Sequence, residues 1–204
     1  MRRALELAWE AYRSGCLPVG AVIVDGNGTV VAEGRNRMAD TDAPPGRLRN
    51  TAIAHAEVDA LSQLPFGTYP DHVLFTSLEP CLLCRSATVM SRVGTIEFLG
   101  RDAVCEGLDR LPELNEHAAA RHPVLRGPGD GIEARFASIL PLAVLCGINE
   151  QGHSMTVHRR HAPDHALAAE RIVAEGLWPS PALGVNEAIE HLRPVLEDRG
   201  RASA

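Results

Sequence analysis

The chain is poor in aromatic side chains and in long apolar runs. Aromatic residues make up 4% of its 204 residues, and the two Trp and two Tyr residues are expected to pack in the interior rather than stack on bases. No apolar stretch is expected to reach the length that spans a bilayer. Glu6 and Glu10 interrupt the region after the basic start, which argues against a signal peptide. No membrane partner is therefore expected.

The chain also has no excess of basic over acidic residues. The sequence has 26 Asp and Glu residues against 20 Lys and Arg residues, for a formal net charge of −6. Proteins that bind RNA usually carry a basic surface, because neutralised phosphates supply much of the affinity. Basic clusters occur only locally, as Arg35, Arg37, Arg47 and Arg49 and as Arg159 and Arg160. A nucleic-acid partner is disfavoured by this charge, although a local patch is left open, and a small-molecule substrate is favoured.

The five cysteines are an odd number, which does not suggest a disulfide framework. Cys16, Cys105 and Cys146 are more simply core or surface thiols, and Cys105 is expected to be a spectator. A reducing cytoplasm fits this pattern. The hydrophobic fraction of 45% is sufficient for a packed core, and the length predicts one domain with an extension.

The apolar pattern predicts an α/β fold over the first hundred or so residues. The predicted elements are a helix with its apolar stripe over 4–11, strands over 21–24 and 30–32, a helix over 51–64, a strand over 72–77, a helix after Pro80 and a strand over 95–99. Asp-Gly-Asn-Gly at 25–28 predicts a hairpin, and strands separated by helices of this length imply parallel crossovers. The prediction is a three-layer α/β/α sandwich with a mixed sheet.

The pattern is weaker after Gly100. A helix over 111–122 and a break at 127–131 are expected, whereas 138–148 reads as either helix or strand because of Pro141. Helices are predicted over 163–175 and around 185–196. We therefore predict a domain over residues 1–150 and a helical C-terminal extension over 151–204, which packs on the core or on a partner subunit.

The segment His55-Ala56-Glu57 combines a metal ligand with a carboxylate. The helix over 51–64 would place His55 and Glu57 in its first turns. Residues two apart on a helix do not share a face, so Glu57 is not expected to bind the same metal as His55. Glu57 is expected instead to lie over an open coordination position, where a proton carrier is needed.

The segment Pro80-Cys81-Leu82-Leu83-Cys84 supplies two thiols. Proline suits the first turn of a helix, so both sulfurs are expected in the first turn of a buried helix. Free N–H groups and the helix dipole favour thiolates there. Residues three apart lie on one face, so Cys81 and Cys84 can reach one metal.

Each segment alone is a weak signal. A His-x-Glu triplet arises by chance, and a Cys-x-x-Cys can be a redox pair or half of a zinc knuckle. Together they supply three zinc ligands, His55, Cys81 and Cys84, and one carboxylate, Glu57. A structural zinc site is normally closed by four protein ligands, whereas a catalytic one keeps a position for water. We predict one Zn²⁺ per chain with a bound water or hydroxide, and Glu57 as the catalytic proton carrier.

The same residues carry a family resemblance, since His-x-Glu followed by Pro-Cys-x-x-Cys is the signature of the zinc deaminases. The segments concerned are Pro18-Val19-Gly20-Ala21-Val22-Ile23-Val24, Glu33-Gly34-Arg35-Asn36-Arg37, Ala54-His55-Ala56-Glu57 and Leu78-Glu79-Pro80-Cys81-Leu82-Leu83-Cys84. The chain resembles the cytidine deaminase superfamily, and within it the branch of bacterial tRNA adenosine deaminases and guanine deaminases. The resemblance covers roughly the first hundred residues.

The resemblance implies a five-stranded sheet, zinc bound by the three ligands named above and a homodimer as the expected assembly. It also implies that Asn36, Ala56 and Pro80 bind the substrate, with the Asn36 side chain on the base or its sugar. The loop between Asn36 and His55 is longer than in the tRNA enzymes, and Asn-Thr-Ala-Ile-Ala at 50–54 replaces their Pro-Thr-Ala.

The predicted reaction is hydrolytic deamination of a nucleobase, nucleoside or nucleotide ring, with an amino group converted to a carbonyl and ammonia released. A small purine-type substrate is favoured by the acidic charge and the altered loop. The first alternative is a tRNA-specific adenosine deaminase that converts adenosine to inosine. The second is a non-catalytic, zinc-stabilised binding protein on the same fold, against which Glu57 argues because a structural site has no need of that carboxylate.

Overall fold

The structure is a computed structural model in which residues 1–198 are described. A five-stranded mixed sheet forms its centre, with the strands in the order β2-β1-β3-β4-β5. The strands are β1 (Gly20–Val24), β2 (Val30–Arg35), β3 (Tyr69–Leu78), β4 (Val93–Gly100) and β5 (Val124–Arg126). Strand β1 is antiparallel to β2 and β3, whereas β3, β4 and β5 are parallel. The predicted mixed sheet of five strands is therefore confirmed.

Nine α-helices surround the sheet within residues 1–198. They are α1 (Arg2–Arg13), α2 (Ala56–Leu61), α3 (Leu82–Ser91), α4 (Leu111–Leu114), α5 (Glu116–Ala119), α6 (Gly131–Ile148), α7 (His153–His161), α8 (Pro163–Ala174) and α9 (Val185–Glu197). Two single turns of 3₁₀ helix, Ala103–Cys105 and Leu108–Arg110, follow β4.

Glycines on the strands allow the helices to lie close to the sheet. A Cβ atom on Gly20 would lie 2.2 Å from the carbonyl oxygen of Ala4 on α1, and one on Gly34 would lie 2.1 Å from that of Ala56 on α2. Successive side chains of a strand point to opposite faces. Helices α1 and α6 cover one face of the sheet, and α2 and α3 cover the other, which confirms the predicted three-layer sandwich.

Helix α2 is shorter than the predicted helix over 51–64. His55 is its N-cap, with an extended backbone at φ −74° and ψ 152°. The residues before it bond elsewhere: Arg37 N donates to Ala54 O at 2.9 Å, and Asn50 N donates to Arg37 O at 3.0 Å. These contacts within the loop that joins β2 to α2 replace the first helical turn, so the prediction that His55 lies within the helix is wrong.

Four other parts of the structure differ from the prediction or resolve it. The expected helix over 111–122 is two four-residue helices, α4 and α5, separated by the extended Asn115. The ambiguous segment 138–148 is helical and belongs to α6, which includes Pro141. The apolar pattern did not predict strand β5, because the strand has only three residues and these are too exposed to form an apolar pattern. Helix α3 ends at Ser91, but Leu82, Leu83 and Met90 are exposed, so it is less buried than its composition suggested.

The helical extension packs on α1 and α6. Its apolar residues, including Met155, Ile172 and Leu192, share one buried cluster with Phe136 and Ile139 of α6. Polar contacts fix the same junction: Trp9 Nε1 donates to Leu183 O at 2.8 Å, and the Tyr12 hydroxyl donates to Pro179 O at 3.1 Å. The domain boundary after residue 150 and a role in a partner contact stay predictions. The last six residues of the predicted extension lie outside the described residues.

Helix α6 is long and apolar enough to cross a bilayer by length and composition, with a mean hydropathy of 1.6 over its 18 residues. The expectation that no stretch approaches this length was therefore wrong. Within the folded chain, 56% of the helix is buried, and its side chains form much of the largest apolar cluster. The apolar composition is explained by this packing between the sheet and the extension.

Gly34→Ala should lower the free energy of unfolding by about 1–3 kcal/mol, because the new methyl group meets backbone atoms of α2 that cannot move independently. Gly147→Ala is the matched control. Gly147 lies in α6, where the nearest atoms to an added Cβ are those of Trp178 at 3.5 Å. The control should be neutral or stabilising by up to about 1 kcal/mol. Urea unfolding measures both, and equal stabilities would contradict the close approach of α2 to β2.

Candidate metal centre and active site

Two helix starts bring the three predicted zinc ligands together. His55 is the N-cap of α2, Cys81 is the N-cap of α3, and Cys84 lies in the first turn of α3. Both cysteines were expected in the first turn, with Pro80 at its start. The structure places Pro80 one residue before the cap, because the backbone of Cys81 is extended. The sulfurs still converge at the amino end of the helix, where unbonded N–H groups stabilise thiolates.

The distances among the three donors fit a tetrahedral zinc ion. His55 Nδ1 lies 3.5 Å from Cys81 Sγ and 3.4 Å from Cys84 Sγ, and the two sulfurs are 3.7 Å apart. With Zn–S bonds of about 2.3 Å and Zn–N bonds of about 2.0 Å, a tetrahedral site has N–S edges of about 3.5 Å and an S–S edge of about 3.8 Å. These side chains therefore form a site for one Zn²⁺ per chain, and no fourth His, Cys, Asp or Glu donor joins the group among the described residues.

The two thiols differ in acidity. The hydrogen bond from Cys84 lowers the pKa of Cys81 to about 4, against the opposing effect of burial, and His55 lowers it further. The same hydrogen bond raises the pKa of Cys84, as do burial and the nearby Glu57 carboxylate. The Cys81 thiol therefore ionises more readily than the Cys84 thiol. Because zinc binds cysteine as thiolate, metal binding at this site should release protons.

Glu57 lies beside the donor group and is 3% exposed. Its Oε1 accepts a hydrogen bond from the Thr76 hydroxyl at 3.1 Å, and its Oε2 accepts one from Cys84 Sγ at 3.3 Å. Burial raises the pKa of this carboxyl group. The arrangement holds a carboxylate next to the metal donors in a water-poor environment, where it can keep or release a proton.

The predicted substrate-binding residues surround the same region, but their roles stay predictions. Asn36 is 1% exposed, and its Oδ1 accepts from Met38 N at 3.1 Å, while its amide nitrogen has no recorded protein acceptor in residues 1–198. Ala56 is the first residue of α2 and is fully buried. The carbonyl of Pro80 accepts from Arg85 Nε at 3.1 Å and Cys105 Sγ at 3.5 Å.

The arginines near Asn36 are paired inside the protein. Arg35 and Arg37 donate to Asp40 at 2.7 Å and 2.9 Å. Arg47 forms a bidentate pair with the fully buried Asp59 at 3.0 Å and 2.9 Å. These three guanidinium groups are therefore not free to form the local basic patch that the sequence left open, whereas Arg49 is about half exposed. Arg37 and Arg47 bind the loop between Asn36 and His55 to Asp59 of α2, and Arg35 binds it to β2 through Asp40.

Several residues at the site had no signal in the sequence. Thr76 is an ordinary strand residue, and its contact with Glu57 depends on how α2 packs on β3. Arg85 and His158 are both 3% exposed, although nothing in the sequence marks either residue as buried. Cys105 was expected to be a spectator, yet its buried thiol donates to the carbonyls of Glu79 and Pro80. A buried polar residue gives no local pattern when its partners are distant in the chain.

An α/β/α sandwich that holds an open His-Cys-Cys centre against a buried carboxylate defines a zinc-dependent hydrolytic enzyme. Comparisons with known proteins identify the family. Residues 1–99 match the zinc-binding region of cytidine and deoxycytidylate deaminases. The chain belongs to this deaminase family, as the resemblance predicted, and is a deaminase that acts on a nucleobase or nucleoside ring.

The relatives differ in the ring that their names specify. The chain is 34% identical over 116 residues to a guanine deaminase of Bacillus subtilis, and this alignment covers 53% of this chain and 69% of the relative. It is 32% identical over 108 residues to a cytosine deaminase of Candida albicans, and this alignment covers 48% of this chain and 67% of the relative. A solved structure from a study of A-to-I editing by tRNA:A34 deaminases is 26% identical, with a TM-score of 0.50, and covers 62% of this chain and 94% of that one.

The purified protein is expected to contain one zinc ion per chain, and Cys84→Ser should reduce bound zinc at least about tenfold, because a hydroxyl is a poor zinc ligand. Cys146→Ser is the control, since Cys146 is equally buried but lies in α6. Elemental analysis after dialysis gives the stoichiometry. Full zinc content in the Cys84 variant would contradict the ligand assignment.

Asp40→Asn should destabilise the protein by about 1–3 kcal/mol at pH 7, through loss of charged hydrogen bonds. Burial opposes ionisation of Asp40, but hydrogen bonds from Cys16 and Arg35 outweigh it and hold its pKa below the usual range. Because the pKa of Asp40 is lower in the folded than in the unfolded state, its ionisation stabilises the fold at pH values above the unfolded-state pKa of about 3.9. This stabilisation is lost as the pH falls through the folded-state pKa. The difference between wild type and variant should therefore be constant from about pH 5 to 8 and shrink below about pH 4 in denaturant titrations. A difference that persists in acid would contradict the role of the charge.

Proposed function

We propose that this enzyme hydrolytically deaminates a small purine-type ring, as a free base, nucleoside or nucleotide, and that it works in the cytoplasm. The exocyclic amino group becomes a carbonyl, and ammonia is released. The single observation that carries the proposal is the buried Glu57 carboxylate, held by Thr76 beside the three zinc ligands. A purely structural zinc site would gain nothing from a buried carboxylate in that position, which argues against the non-catalytic alternative.

His55, Cys81 and Cys84 would hold the zinc ion, which supplies an activated water at neutral pH when it is bound. Glu57 would take the proton of that water and pass it to the ring nitrogen beside the attacked carbon. After the C–O bond has formed, Glu57 would take the second proton from that oxygen and deliver it to the amino group, so that the C–N bond breaks, the carbonyl forms and ammonia leaves. Thr76 holds Oε1, and Oε2 lies 3.3 Å from the sulfur of the zinc ligand Cys84, so Oε2 is the oxygen we assign to carry the proton. The raised pKa of Glu57 suits this role, because the group must hold the proton between the two transfers.

The choice of a small substrate rests on charge. The arginines that might have gripped phosphates near the site are paired with Asp40 and Asp59, and the whole chain is acidic. Little cationic surface is left there to neutralise a nucleic-acid backbone. The amide nitrogen of Asn36 is a suitable donor for a base or sugar oxygen. Ala56 and Pro80 would contribute backbone surface beside the ring.

A tRNA-specific adenosine deaminase is the second candidate. It is favoured by the structural likeness to the tRNA:A34 deaminase, whereas the guanine deaminase relative favours a free purine. Both are purine chemistries. Direct binding distinguishes them: tRNA affinity that is strong and falls steeply with salt would reverse our preference for a small substrate.

We also propose a homodimer, as the family resemblance implies. Helix α3 exposes Leu82, Leu83 and Met90 close to the cysteine ligands, which is an apolar face for a second copy to cover. Light scattering during gel filtration measures the assembly. A monomer at micromolar concentration would overturn this part of the proposal.

Glu57→Gln should retain zinc but lose ammonia release by at least about a thousandfold, because the amide keeps the shape of the side chain and cannot carry the proton. Ammonia is measured for a panel of purine and pyrimidine bases, nucleosides and nucleotides. Turnover of a pyrimidine alone would contradict the purine assignment. Turnover by the variant at the wild-type rate would contradict the role of Glu57.

Thr76→Val should lower kcat about 5- to 20-fold with little change in zinc content, because Glu57 loses one positioned hydrogen bond at almost constant side-chain volume. Ser77→Ala is the control. Ser77 is the next residue of β3, points to the opposite face and accepts from Gly20 N. A loss of kcat that is as large in the control would show that the strand, and not the contact with Glu57, is responsible.

A further inference from the structure

His158 connects the C-terminal helices with the segment that follows β4. The side chain lies in α7 and is 3% exposed. Its Nδ1 donates to Ser154 O at 2.8 Å, which leaves Nε2 as an acceptor. Nε2 accepts from Ala103 N at 3.3 Å and lies 3.3 Å from Asp102 Oδ1. Both ring nitrogens are therefore bound, and the ring is fixed in one tautomer.

The segment held by His158 in turn holds the residues before Cys81. Asp102 N donates to Glu79 Oε2 at 3.3 Å, and Glu79 N donates to Gly100 O at 2.8 Å. The buried Cys105 thiol donates to the carbonyls of Glu79 and Pro80 at 3.6 Å and 3.5 Å. The backbone that carries the first cysteine ligand thus rests on residues 100–105.

Arg85 completes the support from the other side. It is 3% exposed, and it donates to Glu79 Oε1 at 2.7 Å and to Pro80 O at 3.1 Å. The N–H, the carbonyl and both carboxylate oxygens of Glu79 are therefore bound, as is the carbonyl of Pro80. Arg85 and Cys105 are buried, so the loss of either of their contacts with Glu79 and Pro80 would leave a buried polar group without its partner.

We propose that His158 is a positioning residue for the zinc centre and that the C-terminal extension is an integral part of that centre. The path runs from His158 Nε2 to the N–H of Ala103, along the backbone to Asp102, and from the N–H of Asp102 to Glu79, which precedes Pro80 and Cys81. Residues 100–105 and His158 lie beyond the segment that matches the family model, which ends at residue 99. Groups that orient metal ligands commonly change metal affinity 10- to 100-fold when they are removed. The inference depends on the zinc centre and not on which ring is deaminated.

A general loss of stability must be separated from a loss of positioning, and α7 offers a matched residue. Met155 lies one turn before His158 and is fully buried, but it packs in the apolar cluster with α6 and α8. Met155→Ala should loosen the packing of the extension while keeping the hydrogen bond to Ala103. His158→Gln should keep the acceptor for Ala103 N, because its amide oxygen reaches about as far as Nε2.

The experiment measures the rate at which the zinc-loaded protein transfers its metal to an excess of a chromophoric chelator. It is run without substrate, at a temperature where circular dichroism shows every variant folded. His158→Ala should release zinc about tenfold faster than wild type or more, whereas His158→Gln should stay within about threefold. Met155→Ala should lower Tm and leave the release rate unchanged.

Two results would overturn the inference: release from His158→Ala at the wild-type rate, or equal acceleration in His158→Ala and Met155→Ala. Should the alanine variant not fold, His158→Gln is compared with His158→Asn, whose shorter amide cannot reach Ala103. Faster release from the asparagine variant supports the proposal, and equal rates contradict it. Since no substrate is used, failure here would leave the proposed deaminase activity untouched, and failure to find a deaminated ring would leave this result intact.

Discussion

The convergence of two helix starts on one point is the constraint on which the rest of this structure depends. His55 reaches that point from the loop after β2, and the cysteines reach it from the end of β3. Zinc tolerates only small errors in donor distance, so α2 and α3 must be placed to within a few tenths of an ångström. The close contact with Gly34 positions the start of α2. The hydrogen bonds to the residues before Cys81 position the start of α3.

Several charged groups around the centre are buried. Glu57, Asp59 and Arg85 are each 3% exposed or less, and each has charged or hydrogen-bonded partners. Buried ion pairs contribute little net stability, because desolvation offsets most of their attraction, but they penalise any arrangement that leaves one partner alone. The network therefore favours one geometry of the site and of the loop from Asn36 to His55. A dry site also strengthens the electrostatic interactions that proton transfer requires.

The zinc ligands could be predicted from the sequence, whereas parts of the surrounding structure could not. His55, Cys81 and Cys84 could be predicted because donor chemistry depends on residue type, and because a spacing of three places two side chains on one helix face. The start of α2 could not be predicted, because a hydrogen bond between Arg37 and Ala54 replaces the helical turn that the spacing of apolar residues indicated. Tertiary contacts of this kind override local preference wherever a backbone group finds a better partner.

The sequence by itself determined the metal, the class of chemistry and the layered α/β architecture, since these follow from side-chain types and from short-range periodicity. Only the tertiary structure decided that Arg47 pairs with Asp59, that Thr76 holds Glu57 and that His158 supports the segment behind Cys81. The physical reason is the distance along the chain between the partners. A hydrogen bond between residues 103 and 158 exists only because the extension packs on α6, and no local pattern of residues encodes that packing.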